Sequence, residues 1–221
     1  MESISLVKYK KYIHKSLTKL DKLPKLTVSQ IIESDLSSND KQFILVFYGY
    51  LDELDFNYGE SLTRDKILSG ENLYLVAVHC GNIQAMKYLE EKGFNIRIKT
   101  NYDRNAYLVA ACHGHIKIMD YLEERGLNIY IKNNSGNDAY LSAACNGHIS
   151  VMKYIEDKDF DIHITNNSGN NAYLLAARYG HISIMEYLEK TDLDIYIKNN
   201  SGNDAYLSAA RYGKISVMEY L

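Results

Sequence analysis

Histidine is the first residue type in this sequence that could do chemistry, because it recurs at a fixed spacing. His115, His148 and His181 lie 33 residues apart, and each follows a glycine. A neutral imidazole can act as a general acid or base near neutral pH. An active site is built once in a chain, whereas a residue that recurs with the fold usually serves the fold. We therefore expect these histidines to bridge backbone groups between two helices, and we predict no catalytic residue.

Cysteine and histidine together could bind zinc, and three neighbouring positions carry them: His79-Cys80, Cys112-His113 and Cys145. If these positions fall at the ends of packed helices, they lie ~8–10 Å apart. Zinc–ligand bonds are only ~2.0–2.3 Å long, so two adjacent positions could share an ion but three cannot converge on one. No C-x-x-C pair is present either. The pattern favours structural cysteines, and we expect neither a metal nor another cofactor.

Other motifs of enzymes are absent from the sequence. It contains no glycine-rich phosphate loop, H-E-x-x-H helix, G-x-S-x-G elbow or paired-carboxylate signature. The N-glycosylation pattern N-x-S occurs at Asn133, Asn166 and Asn199. Because the N-terminus lacks the apolar core of a signal peptide, we interpret these asparagines as turn formers. We predict a protein that is not an enzyme and has no small-molecule substrate.

The elements that position these residues must repeat with them. NNSGNDAYLSAA occurs at 133–144 and again at 199–210, with NNSGNNAYLLAA between them at 166–177. Fixed self-similarity at this period indicates stacked units, each unable to bury its apolar face alone. Tyrosine recurs every 33 residues at two positions of the unit and methionine at one, and we call each such set a column. We predict that the three columns form the core. Their members are Tyr74, Tyr107, Tyr140, Tyr173 and Tyr206; Tyr88, Tyr121, Tyr154, Tyr187 and Tyr220; and Met86, Met119, Met152, Met185 and Met218.

The first part of one unit, residues 133–165, has the signals of a turn followed by a helix. NNSG forms a turn in which Gly136 can take a positive φ without steric cost. Asp138 can cap a helix from about Ala139 to Asn146, and Gly147 can end it.

The second part of the unit predicts another helix and an extended leg. Apolar residues recur at helical spacing over ISVMKYIE at 149–156. Ile162-His163-Ile164 then alternates apolar and polar residues, as an extended segment does. Each unit is predicted to be a turn, a helix, a second helix and an extended leg.

These units resemble the ankyrin repeat over residues 67–221. The resemblance is carried by NGHIS and YGHIS, by the alanine pairs and by the GLNI and DLDI legs. The family's T-P-L-H motif here reads D-A-Y-L or N-A-Y-L, so an acid or amide caps the helix. The resemblance implies an all-α repeat protein, an ankyrin-type α-solenoid of stacked helix-turn-helix units with β-turn or hairpin fingers, preceded by a helical N-terminal extension.

The variant is further similar to the ankyrin repeat proteins of giant DNA viruses of amoebae, through YLE at the second helix and IYIKNN in the leg. That similarity implies a viral protein that binds a host protein.

The predicted organisation is a helical extension at 1–34, a degenerate capping repeat at 35–66, repeats at 67–99, 100–132, 133–165 and 166–198, and an incomplete repeat at 199–221.

Charge and hydropathy bound the remaining function classes. The net charge is −3, and no stretch reaches the length of a membrane span. We expect an intracellular protein in a reducing compartment, with free thiols. Residues 1–26 hold seven lysines against two acids, so this segment could touch phosphates or lipid. Such a run is more often the solvated face of a helix, and nucleic acid is not the expected partner.

The exposed positions that vary between repeats are the candidate partner site. First-helix ends carry Arg178-Tyr179 and Arg211-Tyr212, and arginine and tyrosine are enriched in binding hot spots. In the ankyrin family binding commonly uses the turn tips and the first-helix face, which these positions match. Drift at unconstrained surface sites is the competing interpretation. The leg positions Tyr130, His163 and Tyr196 complete the candidate set.

Three function classes follow. The leading hypothesis is a non-enzymatic module that binds another protein through its repeats. The alternative is an adapter in which residues 1–34 recruit machinery such as a ubiquitin ligase, and LPKLTVSQIIESD resembles the start of an F-box. The third is tethering to nucleic acid or membrane by the basic N-terminus.

Overall fold

The computed structural model describes residues 25, 27–33, 41, 44–46, 48–50, 52, 73–158 and 160–221. The chain divides into an N-terminal unit, residues 1–101, and a C-terminal unit, residues 102–221. The helices with defined bounds in the N-terminal unit are α1 (Val28–Ile32), α2 (Leu73–His79) and α3 (Ile83–Glu91). Those in the C-terminal unit are α4 (Ala106–Cys112), α5 (Ile116–Glu124), α6 (Ala139–Asn146), α7 (Ile149–Glu156), α8 (Ala172–Tyr179), α9 (Ile182–Leu188), α10 (Ala205–Arg211) and α11 (Ile215–Tyr220).

The helices of the C-terminal unit form four successive pairs, as the repeat predicts. The first helices α4, α6, α8 and α10 pack against one another in chain order, and each packs against the second helix of its own pair. The second helices α5, α7 and α9 form a parallel outer row. This is the packing of an ankyrin-type helical solenoid. Within the described ranges, no helix has the length and apolar character needed to cross a bilayer.

Local capping sets the bounds of the first helices. Asp138 is buried, and its carboxylate accepts a hydrogen bond from the backbone N–H of Leu141 at 3.0 Å. Gly147 ends α6 with φ +84°, in the left-handed region that a glycine enters without steric cost. The predicted helix from Ala139 to Asn146 is confirmed at both ends.

The methionine column from Met86 to Met185 and the first tyrosine column from Tyr74 to Tyr173 belong to the core, as predicted. The prediction is wrong for most of the second tyrosine column, in which Tyr121 is buried but Tyr88, Tyr154, Tyr187 and Tyr220 are only half-buried. Met86, Met119, Met152 and Met185 are fully buried, at the centre of their second helices. The prediction is wrong at Tyr206, which is 48% exposed, because the described chain places no further helix pair against α10.

A shared glutamate links the two tyrosine columns of the C-terminal unit. Tyr140 Oη donates to Glu156 Oε1 at 2.7 Å within one pair, and Tyr187 Oη of the next pair donates to Glu156 Oε2. Each carboxylate therefore accepts one hydroxyl from its own pair and one from the following pair. The same arrangement joins Tyr107, Glu123 and Tyr154, and then Tyr173, Glu189 and Tyr220.

These hydroxyls should make the fold sensitive to alkali. Burial, and then the hydrogen bond to Glu189, raise the pKa of Tyr220 to about 12, and burial also raises the pKa of Tyr140 above its ordinary value. An unfolded tyrosine ionises near pH 10, so the stabilisation is complete below that pH and is lost as the pH rises further. The buried Tyr140 then lowers the free energy of unfolding by up to ~1.4 kcal/mol per pH unit, and the more exposed Tyr220 by less. Urea denaturation between pH 9 and pH 11.5 measures this slope.

The control for this prediction is a pair of phenylalanine variants. Tyr140→Phe should make the decline above pH 10 less steep, because it removes one buried hydroxyl. Tyr196→Phe should leave the slope unchanged, because that side chain is 85% exposed. Equal slopes in wild type and Tyr140→Phe would contradict the assignment.

The NNSG turns join successive pairs, in addition to forming turns. Gly136 N donates to Asn133 O at 2.8 Å, which closes the turn. Asn167 N of the following turn donates to Ser135 O at 3.1 Å, and its side-chain amide donates to Asn134 O at 3.1 Å. The prediction of turn formers is confirmed, and the contacts between turns give a further reason for the repeated sequence.

The predicted extended leg is wrong. Ile162 and His163 lie in a turn, because the Asp161 carboxylate accepts a hydrogen bond from the His163 backbone N–H at 2.9 Å. The same side-chain turn occurs at Arg97, Tyr130 and Tyr196, each held by an Asn or Asp two residues earlier.

In the N-terminal unit, the helix-capping pattern at Thr27 is confirmed. The Thr27 hydroxyl accepts from Gln30 N, and the Gln30 side chain accepts from Thr27 N. Most of the predicted helical extension at 1–34, and most of the predicted degenerate repeat at 35–66, lie outside the described residues.

One turn inside the predicted degenerate repeat has the geometry of the other repeats. Gly49 has φ +77°, and Tyr50 N donates to Leu45 O at 2.8 Å. His148 N donates to Ala143 O at 3.0 Å in the equivalent turn after α6. Leu45 is buried, as Ala143 is, so the larger side chain occupies the same register.

Candidate functional site

A cavity of about 210 Å³ lies in the C-terminal unit, between the turns at 101–104 and 133–137 and the ends of the first helices. The turns are held by hydrogen bonds to one another, and the helix ends are fixed by packing of α4, α6 and α8. The backbone around the cavity is therefore held in place by these hydrogen bonds and helix contacts. Its lining is Arg104, Cys112, His113, Asn133, Asn137, Ser142, Cys145, Asn146 and Tyr179.

The lining of the cavity is rich in hydrogen-bond donors. Arg104 and His113 supply nitrogen donors, and amides stand beside them, while no carboxylate of the described residues lines the cavity. The Asn137 amide nitrogen lies 3.9 Å from Cys145 Sγ. Burial raises the pKa of the Cys145 thiol to about 12, so this sulfur is a neutral thiol at physiological pH.

Of the four candidate arginine–tyrosine positions, Tyr179 lines this cavity. It is 43% exposed. The Arg178 guanidinium carbon lies 4.1 Å from the ring centroid of Tyr212 and 5.5 Å from that of Tyr179, within cation–π distance of both. Tyr212 and Arg211 are exposed. The three residues Arg178, Tyr179 and Tyr212 thus form one cluster, which we call the Arg178 cluster.

The Arg178 cluster spans two helix pairs, which the sequence did not predict. Arg178 and Tyr179 belong to α8, whereas Tyr212 follows α10 of the next pair. The sequence predicts Arg178 as an exposed position at a helix end, yet its side chain is half-buried and packs against the following pair. Its role therefore combines an exposed surface with a contact between pairs.

The three leg positions lie apart from the cavity lining. Tyr130 is 65% exposed and stacks on Phe160, with ring centroids 5.8 Å apart and an angle of 5° between the rings. His163 Nε2 lies 3.4 Å from Asp192 Oδ2, which is an ion pair only when the imidazole is protonated. Tyr196 extends into solvent. The structure brings none of these residues to the cavity.

The repeated histidines link successive pairs, so the predicted bridge between the two helices of a pair is wrong. His148 Nε2 donates to the carbonyl oxygen of Cys112 at 3.0 Å, and His181 Nε2 donates to that of Cys145 at 2.9 Å. Burial lowers the pKa of His148, which favours the neutral ring that this bond uses. These imidazoles position the first-helix ends that line the cavity.

Sequence reasoning missed Arg104, Asn137 and Ser142 of the lining. The signal was available for Arg104, because its position in the repeat carries asparagine in the three later repeats, at Asn137, Asn170 and Asn203. Variation between repeats therefore marks this turn position as well as the helix ends and the legs.

The described part of the chain holds no group of three or more His, Cys, Asp or Glu side chains placed to bind a metal. Cys80, Cys112 and Cys145 form no disulfide within the described residues. The cavity lining offers hydrogen-bond donors, the thiols of Cys112 and Cys145, and the ring of Tyr179. These groups can bind a ligand by hydrogen bonds and by stacking.

Comparison with known proteins agrees with the fold. Residues 140–221 match the family model described as ankyrin repeats, in three copies. No curated protein matches the chain. Ankyrin repeats are generally protein–protein interaction modules, and the family is typically non-enzymatic.

Proposed function

We propose that this chain, whose residues 140–221 are ankyrin repeats, is a non-enzymatic module that binds another protein through the groove between its turns and first-helix ends. One observation carries the proposal. The positions that vary between repeats, at the ends of α4, α6 and α8, converge with Arg104 and with the turn at 133–137 on one cavity. A surface that is constant in its framework and varied in its lining suits the recognition of one partner.

The exposed aromatic residues beside the cavity support a protein partner. Tyr179 and Tyr212 are 43% and 44% exposed. Tyrosine contributes a large, rigid contact area with a hydroxyl at its edge, and it is enriched at protein interfaces. The leg residues Tyr130, His163 and Tyr196 are a second part of the proposed surface. Their exposure fits contacts at the rim, where single residues contribute less to affinity.

The proposal extends to where the protein acts. The resemblance to the ankyrin repeat proteins of giant DNA viruses supports a viral protein that binds a host protein inside the cell. The predicted domain boundaries, with repeats from 67 to 221 behind a degenerate repeat and a helical extension, are part of the same proposal. The turn at Gly49 supports the degenerate repeat.

Two other functions depend on the N-terminal residues. An adapter would recruit a ubiquitin ligase or similar machinery through residues 1–34, and a tether would bind nucleic acid or membrane there. Deleting residues 1–34 separates these from simple binding, because a module that binds through its groove keeps its partner and its effect. A steep salt dependence would favour the tether.

A quadruple variant tests the groove. Changing Arg178, Tyr179, Arg211 and Tyr212 to alanine should weaken binding of a captured protein by at least ~2 kcal/mol, a loss of hot-spot size. Partners are captured from cells on wild-type protein, identified by mass spectrometry, purified, and titrated by calorimetry against each variant.

The matched control removes two positive charges elsewhere. Lys117→Ala/Lys190→Ala changes exposed lysines in or after second helices, and it should leave the affinity unchanged. Circular dichroism and urea unfolding first establish that the quadruple variant is folded, because Arg178 also packs against the ring of Tyr212 in the next pair. Full-strength binding by the folded quadruple variant would place the site elsewhere.

A further inference from the structure

The proposed function leaves aside one feature of the C-terminal unit, an arginine that forms no salt bridge with any described residue. Arg178 is half-buried, and its Nε is buried without a hydrogen-bond partner. Its recorded neighbours are the rings of Tyr179 and Tyr212, which satisfy the charge only by cation–π contact. A guanidinium that is stabilised only by cation–π contacts would gain further from a carboxylate supplied by a partner.

We infer that the groove recognises an acidic side chain of the protein partner, whose carboxylate binds the guanidinium of Arg178. This inference rests on the proposed function and adds the chemistry of the partner to it. Arginine presents a planar fork of donors that matches a carboxylate in two parallel hydrogen bonds. The rings of Tyr179 and Tyr212 restrain the guanidinium, so less conformational entropy is lost when the carboxylate binds.

The surroundings of Arg178 favour an anion. The cavity beside it is lined by Arg104 and His113 and, among the described residues, by no carboxylate. Both Arg104 and Arg178 act electrostatically on the Cys145 thiol and the Tyr179 hydroxyl, which line the same cavity. A carboxylate that enters here meets positive charge and hydrogen-bond donors without a like charge in the lining.

The size and charge of the site favour a peptide side chain over a nucleic acid. The cavity volume of about 210 Å³ is below the ~300–1,000 Å³ typical of sites for whole small molecules. Binding to a nucleic acid relies on several lysine and arginine contacts to successive phosphates. This chain has a net charge of −3, and the positive charge is local.

The test uses a displayed library of random twelve-residue peptides, selected on the full-length protein. We expect the selected peptides to share an aspartate or glutamate at one aligned position. For one such peptide, changing that acid to its amide should weaken binding by about tenfold or more, as expected for a hydrogen bond between charged groups. This comparison leaves the protein unchanged, so it cannot be confused with unfolding.

The protein side of the same contact is tested by Arg178→Gln. The variant should bind the acidic peptide about tenfold more weakly than the wild-type protein does. It should bind the acidic peptide and its amide form equally, because the change in the protein and the change in the peptide remove the same interaction. Arg125→Gln is the matched control, since Arg125 lies at the end of α5, donates to Tyr121 Oη and is not part of the Arg178 cluster. It should retain the preference for the acid.

The outcomes separate the inference from the proposed function. Selected peptides that lack a shared acid, or that bind Arg178→Gln at full strength, would overturn the inference and leave the binding function intact. Recovery of no peptide at all would count against both. A single-stranded oligonucleotide of twenty thymidines is titrated in parallel. If it binds the wild-type protein more tightly than the acidic peptide does, and loses that affinity in Arg178→Gln, the choice of a protein ligand is overturned.

Discussion

Replacing Met152 by alanine should lower the free energy of unfolding by ~2–5 kcal/mol, the cost of a cavity in a packed core. Met152 lies at the centre of α7, is fully inaccessible to solvent, and faces the first helix of its own pair. The packing of α7 against α5 and α9 leaves little room for neighbours to fill the space. Urea denaturation followed by far-UV circular dichroism measures the change.

Met218→Ala is the matched control, because the same column position in α11 is only partly buried. Its replacement should cost less than that of Met152, since the side chain transfers less apolar area from water on folding. Equal and small effects at the two positions would show that the methionine column does not form the core.

Gly136→Ala should destabilise the chain by at least ~2 kcal/mol, through two effects that add. Gly136 has φ +78°, where an L-residue costs roughly 1–2 kcal/mol. A Cβ at this position would also lie 2.3 Å from Asn167 Oδ1 and 2.7 Å from Asn167 N. The next turn would have to move away, and this would weaken the hydrogen bond from Asn167 N to Ser135 O. Thermal and urea unfolding of the variant measure the loss.

Gly202→Ala separates the two effects. Gly202 has nearly the same φ, +77°, but no atom lies within 4 Å of a Cβ built on it. Its replacement should cost only the backbone strain. The difference between the variants measures the contact between successive turns, about one or two hydrogen bonds at ~0.5–1.5 kcal/mol each. If the two variants lose equal stability, the turns do not support one another.

The features that sequence predicted well are local. The cap at Asp138, the glycine stop at Gly147 and the helix between them depend on residues within one turn of each other, so pattern alone identifies them. The buried methionine column followed from helical periodicity combined with the period of the repeat. The turn at His163 was missed because the side chain of Asp161 competes with an extended backbone.

The features that sequence missed depend on partners about one repeat away. Glu156 is the last residue of the predicted second helix, but nothing in that helix indicates its two hydrogen-bond donors. Tyr140 lies 16 residues before it in the chain and Tyr187 lies 31 residues after it. The imidazole bond of His148 reaches back 36 residues. These side-chain contacts depend on how each helix pair is rotated and shifted relative to the next. The spacing of residues along the sequence does not specify that rotation or shift. For the same reason, the sequence named Arg178 but not the ring of Tyr212 on which it packs.

The glutamate shared between neighbouring pairs has a consequence for how this gene can change. Each pair presents one half of the Tyr–Glu–Tyr contact on one side and the complementary half on the other. Unequal crossing-over that removed residues 166–198 would place Tyr220 where Tyr187 now donates to Glu156, and Asn200 where Asn167 now contacts Gly136. The new junction would have the contacts of the old one. Recombination can therefore lengthen or shorten the array in steps of 33 residues, and the partner surface can vary without any new interface having to evolve.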